Sequence, residues 1–434
     1  GPVTPWEGVL KADSYGPMSP QGSMLGFGAG NQDGTDNNCQ NLNIWTPGLN
    51  DGGLRPVLVW LHGGGFSTGT ANNSSYDGEA LAKNGDVVVV SVNHRLNVFG
   101  YLDLSAYDEK YKDSANVGMW DIIAALEWIQ QNIEVFGGDP DNVTVFGQSG
   151  GGAKVLGLMS TPYAVGLFHK GIVESGVTET VGVNFTSQEA STRLAENLLA
   201  ELNIAPENIE QLQTVAVDKL QSAATKALDA TAQEFQIPAP LTDGYQMEWE
   251  PVVDGDFLPT SPVTETNFAD AGQDIPLLIG SNLNEWTGFY RTSTDGVDTD
   301  ALSAALKTAY PDKTDLTADH VDTLIRLPIL KTMSHKADQN GAPVYSYLLT
   351  YGSSNHGAEI PYIFRHSDVS AMNDLFSSIW VNFARSGIPS ADSLPTWEPY
   401  TREGGATMLL DTTSQLVYHH DDALLKLLVP DYEY

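Results

Sequence analysis

The sequence predicts an α/β protein with a central, mostly parallel, twisted β-sheet that is flanked by helices. Two observations carry this prediction. Apolar runs of strand length, rich in β-branched residues, alternate with longer segments of helical periodicity. A glycine-rich turn at residues 147–151 also separates one strand from the helix after it. Such alternation favours a parallel sheet, because the crossover helices cover both of its faces.

The elements follow in chain order. The predicted strands cover residues 41–45, 56–61, 86–92, 142–146, 169–174, 275–280 and 344–349. The run 86–92 reads Asp-Val-Val-Val-Val-Ser-Val, and its β-branched residues favour a strand over a helix. Residues 115–135 have an apolar face at helical spacing, and Gly137-Gly138-Asp139-Pro140 ends that helix. Another helix is predicted from about Gly150.

The remaining segments complete the predicted architecture. Residues 1–38 are rich in Gly, Pro, Asn and Asp and are expected to be irregular. Two helical insertions, at about 187–245 and 287–340, are expected over the active site. Without a repeat or a clear linker, residues 1–434 are predicted to form a single domain.

Composition excludes several classes of partner. Lys and Arg total 21 against 55 Asp and Glu, which gives a formal net charge of −34. Such a surface repels nucleic acids and anionic membranes, and we interpret it as a means of staying soluble, including in a salty habitat. No run of about 18 apolar residues predicts a membrane span. No signal peptide is visible, and the lone Cys39 cannot form an internal disulfide, so we expect a soluble protein that is either cytoplasmic or secreted.

The turn Gly147-Gln148-Ser149-Gly150-Gly151 is the first functional signal. A Gly-x-Ser-x-Gly between a strand and a helix is typical of the nucleophile elbow of α/β-hydrolases. The tight turn exposes the serine at the carboxyl end of the strand and leaves little room for flanking side chains. Ser149 is therefore the candidate nucleophile.

A serine hydroxyl needs a base and a carboxylate that orients the base. In this fold the chain order is Ser, then Asp or Glu, then His, with the last two on loops after late strands. Glu285 follows the strand 275–280, and His356 follows the strand 344–349. Either residue alone is most simply a surface side chain, but their order and context favour a triad. The pair His419-His420 lacks the further ligands that a metal site requires, so no metal and no cofactor is expected.

A candidate oxyanion hole follows the strand 56–61. The segment His62-Gly63-Gly64-Gly65-Phe66 lies where esterases of this fold carry their oxyanion loop. Its glycines allow the backbone to approach a substrate and to direct N–H groups at it. We expect the backbone N–H groups of Gly64, Gly65 and Gly150 to donate hydrogen bonds to the oxyanion. Gly150 directly follows the nucleophile.

These motifs resemble the type-B carboxylesterase and cholinesterase family. The resemblance runs from residues 5–9 to the C-terminal region, and further segments that carry it are residues 38–47, 60–66, 92–96, 116–121, 133–140 and 251–259. The resemblance implies a serine esterase with Ser149 as nucleophile, Glu285 as acid and His356 as base. It implies Gly64, Gly65 and Gly150 as oxyanion donors. We expect Gln148 and Ser175 to support these residues without contacting the substrate.

The chain departs from the usual pattern of that family at several positions. Gln148 replaces a glutamate, which removes a negative charge beside His356 and is expected to change the pH optimum. Gly150 replaces an alanine and is expected to loosen one oxyanion donor. Met18 takes the position of the usual disulfide partner of Cys39. The edge strands that usually precede residue 5 are expected to be missing, which leaves a more open sheet edge.

The predicted function is hydrolysis of neutral carboxylic esters through an acyl-enzyme. Alternatives are the same machinery acting on amides, carbamates, lactones or polyester-like esters, or a non-catalytic binding protein of the same family. Four aromatic residues suggest an apolar pocket, although they are equally compatible with a core role: Phe66, Trp286, Phe289 and Tyr290. The partner is therefore a small-molecule ester, and the protein is expected to be a monomer or a homodimer.

Overall fold

A nine-stranded sheet forms the centre of the molecule. The computed structural model describes residues 7–22, 34–179, 184–286, 290 and 292–434. Within these residues the strand order is β1-β3-β2-β4-β5-β8-β9-β10-β11. The strands are β1 (Asn41–Trp45), β2 (Arg55–Leu61), β3 (Val88–Asn93), β4 (Gly138–Gln148), β5 (Lys170–Glu174), β8 (Leu277–Asn282), β9 (Val344–Leu349), β10 (Ala406–Leu410) and β11 (Gln415–Tyr418), while β6 (Thr186–Ser187) and β7 (Val252–Val253) pair separately.

The inner strands are parallel, and only the two outermost pairs, β1–β3 and β10–β11, are antiparallel. The register places Leu61 opposite Gly147, Gln148 opposite Glu174, and Glu174 opposite Gly280. The carboxyl ends of β2, β4, β5 and β8 therefore meet at one edge, where parallel α/β sheets carry their ligand sites.

Helices cover both faces of the sheet. They are α1 (Glu79–Gly85), α2 (Asn97–Tyr101), α3 (Val117–Asn132), α4 (Gly150–Leu158), α5 (Gln188–Leu202), α6 (Val217–Phe235), α7 (Thr299–Ala309), α8 (Arg326–Asp338), α9 (Ile360–Ile363), α10 (Ser370–Ser386) and α11 (Asp422–Leu428). Alternate residues of β2 face opposite cores, with Val57 and Val59 on one side and Leu58 and Trp60 on the other. The first core contains α3, α4 and α8, and the second contains α1 and α10.

The two segments predicted as helical insertions behave differently in the structure. In the first, α5 packs against α6, and α6 ends at Phe235, so residues 236–245 are not helical. In the second, α8 is largely buried and packs on β8 and β9. It is the crossover helix that joins these parallel strands, so among the described residues of this segment the addition to the sheet comprises α7 and the described chain on either side of it.

The described part of the chain contains one cysteine, Cys39, and it is buried just before β1. Burial is the largest cause that raises the pKa of its thiol to about 11. Among the described residues, no helix has both the length and the apolar character that a membrane crossing requires.

Candidate active site

Ser149 occupies the sharp turn between β4 and α4. Its φ is +56° and its ψ is −125°, a conformation that costs a non-glycine residue about 1–3 kcal/mol. Two backbone hydrogen bonds hold this turn: the Ser149 N–H donates to Glu174 O at 2.7 Å, and the Ala153 N–H donates to Ser149 O at 3.1 Å. Backbone strain of this kind clusters at active sites, and here it presents the hydroxyl at the carboxyl end of the sheet.

Three glycines make the turn possible because a side chain at each would collide with backbone. A Cβ on Gly147 would lie 2.6 Å from Leu61 O, and a Cβ on Gly151 would lie 2.0 Å from the same oxygen. A Cβ on Gly176, after β5, would lie 1.9 Å from Ser149 O. The predicted glycine requirement of the elbow thus has a direct steric cause. The same requirement extends to the loop after the neighbouring strand β5.

Glu285 and His356 lie together on the loops after β8 and β9. His356 Nδ1 is 2.6 Å from Glu285 Oε2, and the His356 N–H donates to Glu285 O at 3.0 Å. Glu285 Oε1 accepts hydrogen bonds from Ser175 Oγ at 2.5 Å and from the Asn282 N–H at 2.7 Å. Both carboxylate oxygens are therefore engaged, and the contact at Nδ1 leaves Nε2 as the imidazole nitrogen that can act as a base.

The Nε2 atom of His356 faces Gln148. Gln148 Nε2 lies 3.1 Å from His356 Nε2, so the amide donates to this nitrogen when the ring is neutral. Within the described residues, Ser149 Oγ makes no hydrogen bond to His356. Trp286 stacks on the imidazole, with ring centroids 4.4 Å apart and an interplanar angle of 26°. Catalytic hydrogen bonds are often long without substrate, so this arrangement is compatible with a Ser–His pair that forms on binding.

The glycine loop after β2 lies against the elbow. The Gly63 carbonyl lies 2.8 Å from His62 Nδ1, and the Gly64 carbonyl accepts from the N–H groups of Ser67 and Thr68. Each trans peptide points its N–H opposite to its carbonyl, so the Gly64 and Gly65 amides face away from these partners. The positive φ angles of both residues, +90° and +58°, suit only glycine at low cost.

Gly150 and Gly65 come into close backbone contact. A Cβ on Gly150 would lie 2.3 Å from Gly65 O and 2.6 Å from Gly65 N. Among the described residues, the amides of Gly64, Gly65 and Gly150 have no hydrogen-bond acceptor. The sequence suggested that a glycine at position 150 loosens a donor, whereas the structure gives it a packing reason: the glycine lets the two loops meet.

Comparison with known proteins agrees with this geometry. The sequence profile of the carboxylesterase family matches residues 1–318 and 307–424. The chain belongs to the carboxylesterase family. It is 33% identical to the para-nitrobenzyl esterase of Bacillus subtilis (strain 168) over 446 residues, which cover 95% of this chain and 87% of that protein. It is 31% identical to the liver carboxylesterase of Sus scrofa over 473 residues, which cover 93% and 80% of the two chains.

Solved structures of carboxylesterases have the same fold. An esterase from Clostridium hathewayi that can hydrolyse aliphatic aromatic polyesters superposes with a TM-score of 0.83 at 33% identity, over 98% of this chain and 90% of that one. A PNB esterase superposes with a TM-score of 0.77 at 30% identity over the same shares. The predicted family, the α/β-hydrolase fold and the reaction class, carboxylic ester hydrolysis, are confirmed.

Further buried carboxyl groups lie near the Glu285–His356 pair of this carboxylesterase. Glu174 lies at the end of β5, where its Oε1 accepts from Trp380 Nε1 at 2.8 Å. Burial, followed by the charge of Glu359, raises the pKa of Glu174 well above its usual value. Burial and then Glu285 likewise raise the pKa values of Glu359 and Asp322. Burial therefore favours the neutral form of each of these three carboxyl groups.

The charges around His356 support its cationic form. Burial lowers the pKa of His356, but the charge and hydrogen bond of Glu285, with smaller effects of Glu359 and Asp322, outweigh burial and raise it above the ordinary value. The predicted loss of support from Gln148 is therefore partly offset by carboxyl groups that sequence reasoning did not assign.

Sequence reasoning missed the residue that connects this carboxyl cluster. Asn282 is fully buried at the end of β8, and its side-chain amide donates to Asn355 O at 2.8 Å and to Glu359 Oε2 at 2.6 Å. It thereby ties the two loops that carry Glu285 and His356. The spacing His356-Gly-Ala-Glu359 was an available signal for Glu359, whereas no local pattern in the sequence marks Asn282.

The aromatic residues predicted to line a pocket have different surroundings. Phe66 is fully buried among Tyr101 and Phe185 and belongs to the core. Trp286 packs directly on the His356 ring, and Tyr290, four residues later in the chain, is half-buried. Phe289 lies outside the described residues.

Proposed function

We propose that this protein is a serine carboxylesterase in which Ser149 is the nucleophile, His356 the general base and Glu285 the carboxylate that orients it. The observation that carries the proposal is the 2.6 Å contact between His356 Nδ1 and Glu285 Oε2 at the side of a strained Ser149. Open backbone amides next to the same serine supply the third element that acyl transfer requires.

The reaction proceeds through a covalent acyl-enzyme. Ser149 Oγ attacks the ester carbonyl while its proton passes to His356 Nε2, and the carbonyl oxygen becomes an oxyanion held by the amides of Gly64, Gly65 and Gly150. The intermediate collapses, the bond to the alkoxy oxygen breaks, and His356 returns the proton to the leaving alcohol. Water then attacks the acyl-enzyme in the same way and releases the carboxylic acid and free Ser149.

Gln148 has a defined part in these reaction steps. Its amide nitrogen occupies the position near His356 Nε2 to which the serine proton must travel. The amide therefore has to turn or shift when Ser149 bonds to the imidazole. Once the ring is cationic, the Gln148 carbonyl oxygen can accept from it, so a neutral side chain serves both protonation states.

Neutral esters are the proposed substrates. A formal net charge of −34 disfavours anionic esters and assists the departure of the anionic acid product. Trp286, which is half-buried and stacks on the base, offers an apolar surface for a hydrophobic ester group. A panel of p-nitrophenyl esters of increasing acyl length measures this preference, and a maximum at acetate to hexanoate is expected.

Polyester-like esters are the second candidate substrate class. The specific observation is the similarity to the Clostridium hathewayi esterase, which covers 98% of this chain. The machinery is the same for both classes, so only access of a polymer chain to Ser149 differs. Release of soluble acid from a suspended aliphatic aromatic polyester tests this candidate.

Replacement of the nucleophile tests the mechanism itself. Ser149→Ala is expected to lower kcat for p-nitrophenyl butyrate by about 10⁴–10⁶-fold and to abolish labelling by a fluorophosphonate probe. Ser160→Ala is the matched control, because Ser160 lies just after α4 and, among the described residues, its buried hydroxyl bonds to Leu156 O alone. An active, labelled Ser149→Ala variant would falsify the mechanism. A wild-type protein that takes no label would instead indicate a non-catalytic member of the family.

We also propose that residues 1–434 act as a single domain, as a monomer or a homodimer. No residue assigned above to catalysis needs a second chain. Sedimentation equilibrium of the wild-type protein across a range of concentrations distinguishes the two assemblies.

A further inference from the structure

Lys154 is a buried cation beneath the glycine loop. It lies in α4, five residues after Ser149, and its side chain has no exposed surface. Its ammonium donates to Gly65 O at 2.6 Å and to His62 O at 3.1 Å. The same nitrogen lies 4.9 Å from the centroid of the Phe66 ring. Every one of these contacts is to residues 62–66.

No carboxylate pairs with Lys154 among the described residues. By contrast, the buried Arg326 forms an ion pair with Asp421 at 2.8 Å. Burial lowers the pKa of Lys154 to about 7. The titratable groups nearest to it, His62 and His94, are also basic, and burial followed by Lys154 lowers their pKa values. A lysine without a counter-ion is costly to bury, so its retention here requires a benefit other than charge pairing.

The two bonded carbonyls bracket the candidate oxyanion donors. His62 O precedes Gly63, and Gly65 O follows the Gly65 amide, so the amides of Gly64 and Gly65 lie between the two anchors. Three consecutive glycines have high conformational freedom and would otherwise sample many amide orientations. Because α4 also begins with the third donor, Gly150, Lys154 links all three donors through a single side chain.

We propose that Lys154 is a positioning residue that fixes the oxyanion loop against the nucleophile helix. The inference rests on the proposed function, since it assumes that the amides of Gly64, Gly65 and Gly150 hold the oxyanion. Lys154 does not touch the substrate. It acts by keeping these amides oriented before the oxyanion forms, which is the basis of electrostatic preorganisation.

The molecule contains a matched control in Lys336. This lysine of α8 also has no exposed surface, and its ammonium donates to Gln273 O at 2.7 Å and to Ala342 O at 3.3 Å. It lies 5.9 Å from the Phe268 ring, and burial lowers its pKa to about 8. Its environment is thus similar to that of Lys154, but its partners lie away from Ser149.

The experiment compares Lys154→Met with Lys336→Met. We expect Lys154→Met to lower kcat for p-nitrophenyl butyrate by about 10²-fold with KM changed by less than about 3-fold, as for loss of an oxyanion donor. Affinity for an aryl trifluoromethyl ketone, which forms an oxyanion on Ser149, should fall by the same factor as kcat/KM. Lys336→Met should lower Tm but leave kcat and the ketone affinity within about 2-fold.

Three results would overturn the proposal. The first is a folded Lys154→Met variant with wild-type kcat, and the second is a loss of kcat without a parallel loss of ketone affinity. The third is an equal loss of kcat in Lys336→Met. If Lys154→Met does not fold, Lys154→Gln decides by the same measurements, because its amide can still bond to one of the two carbonyls. Activity of Ser149→Ala would instead contradict the proposed function, so the two failures are distinguishable.

Discussion

The candidate site of this carboxylesterase borders two buried groups of ionisable residues with opposite character. Behind His356 the group is acidic and contains Glu174, Glu285, Asp322 and Glu359. Beneath the glycine loop the group is basic and contains His62, His94 and Lys154. In the proposed mechanism, the acidic group stabilises the imidazolium that forms when Ser149 loses its proton, and the basic group lies under the amides that hold the oxyanion. The two charges that develop during acyl transfer are thus supported from separate places.

The two groups also differ in what they engage. The acidic group acts through side chains, as in the contacts of Glu285 with His356 and Ser175. In the described part of the chain, the hydrogen bonds of Lys154 go to backbone carbonyls, so we expect the basic group to act through the backbone. Substitutions on the acidic side should therefore change proton transfer and its pH dependence. Substitutions on the basic side should change the stability of the oxyanion without moving the pH profile.

The largest effect is expected from Glu285→Gln. The amide presents a donor or a neutral acceptor to His356 Nδ1, so the imidazole loses both its preferred tautomer and the support for its cation. We expect kcat/KM to fall by about 10⁴-fold, measured with p-nitrophenyl butyrate.

Glu359→Gln is the control for that substitution. Its glutamine can still accept from Asn282, and burial, which raises the pKa of Glu359 to about 7, favours the neutral form that glutamine resembles. We expect kcat/KM of Glu359→Gln to fall by less than about 10-fold. Equal losses in the two variants would contradict the assignment of Glu285 as the orienting carboxylate.

A smaller effect on the basic side is expected from Gly150→Ala. The added Cβ would lie 2.3 Å from Gly65 O, so the glycine loop must move away from the elbow. We expect kcat to fall by about 10–10²-fold with an unchanged acid limb of the pH profile. Steady-state kinetics across pH measure both quantities.

Gly157→Ala controls for the change in helix propensity. A Cβ there meets the flexible end of Met119 at 2.9 Å, so the same helix gains an alanine without disturbing the loop. If Gly150→Ala keeps full activity, or if Gly157→Ala loses as much, close contact between Gly65 and Gly150 does not determine the oxyanion geometry.

The smallest effect is expected from Gln148→Glu. A carboxylate near His356 Nε2 stabilises the imidazolium and raises the pKa of His356. Since the base works in its neutral form, activity is then lost at higher pH as the solution is acidified. The acid limb of kcat/KM should move upward by about one pH unit, with kcat at its plateau changed by less than about 5-fold.

A surface substitution separates this local effect from the added charge. Gln211→Glu introduces the same charge at an exposed position and should leave the limb in place. If the acid limb of the pH profile does not move in Gln148→Glu, or moves equally in both variants, Gln148 does not set the titration of His356.

The sequence contains strong signals for the parts of this molecule that depend on local pattern. The β-branched run of β3 and the Gly-x-Ser-x-Gly turn are such patterns, and both elements lie where they were predicted. The order of Glu285 and His356 along the chain was sufficient to place them after the correct strands. Their mutual 2.6 Å contact agrees with the predicted pairing, and their catalytic roles stay predictions.

Features that depend on packing between distant segments could not be read from the pattern. Lys154 occupies an apolar helix and appears in sequence as an ordinary charged residue, because its partners lie about 90 residues earlier in the chain. Asn282 is similarly unremarkable until β8 and β9 bring Asn355 and Glu359 beside it. The sequence prediction also missed that α8 is a crossover helix. Its packing on the sheet defines that role, and the periodicity of its sequence does not reveal it.

The buried Cys39 has a practical consequence for following the unfolding of this protein. A thiol with a pKa of about 11 and no exposed surface reacts slowly with alkylating or disulfide reagents in the native state. Because no other cysteine exists in the chain, every modified molecule reports an opening of the segment next to β1. The rate of thiol modification is therefore a single-site measure of local opening, and it can be read while the active-site serine is titrated independently.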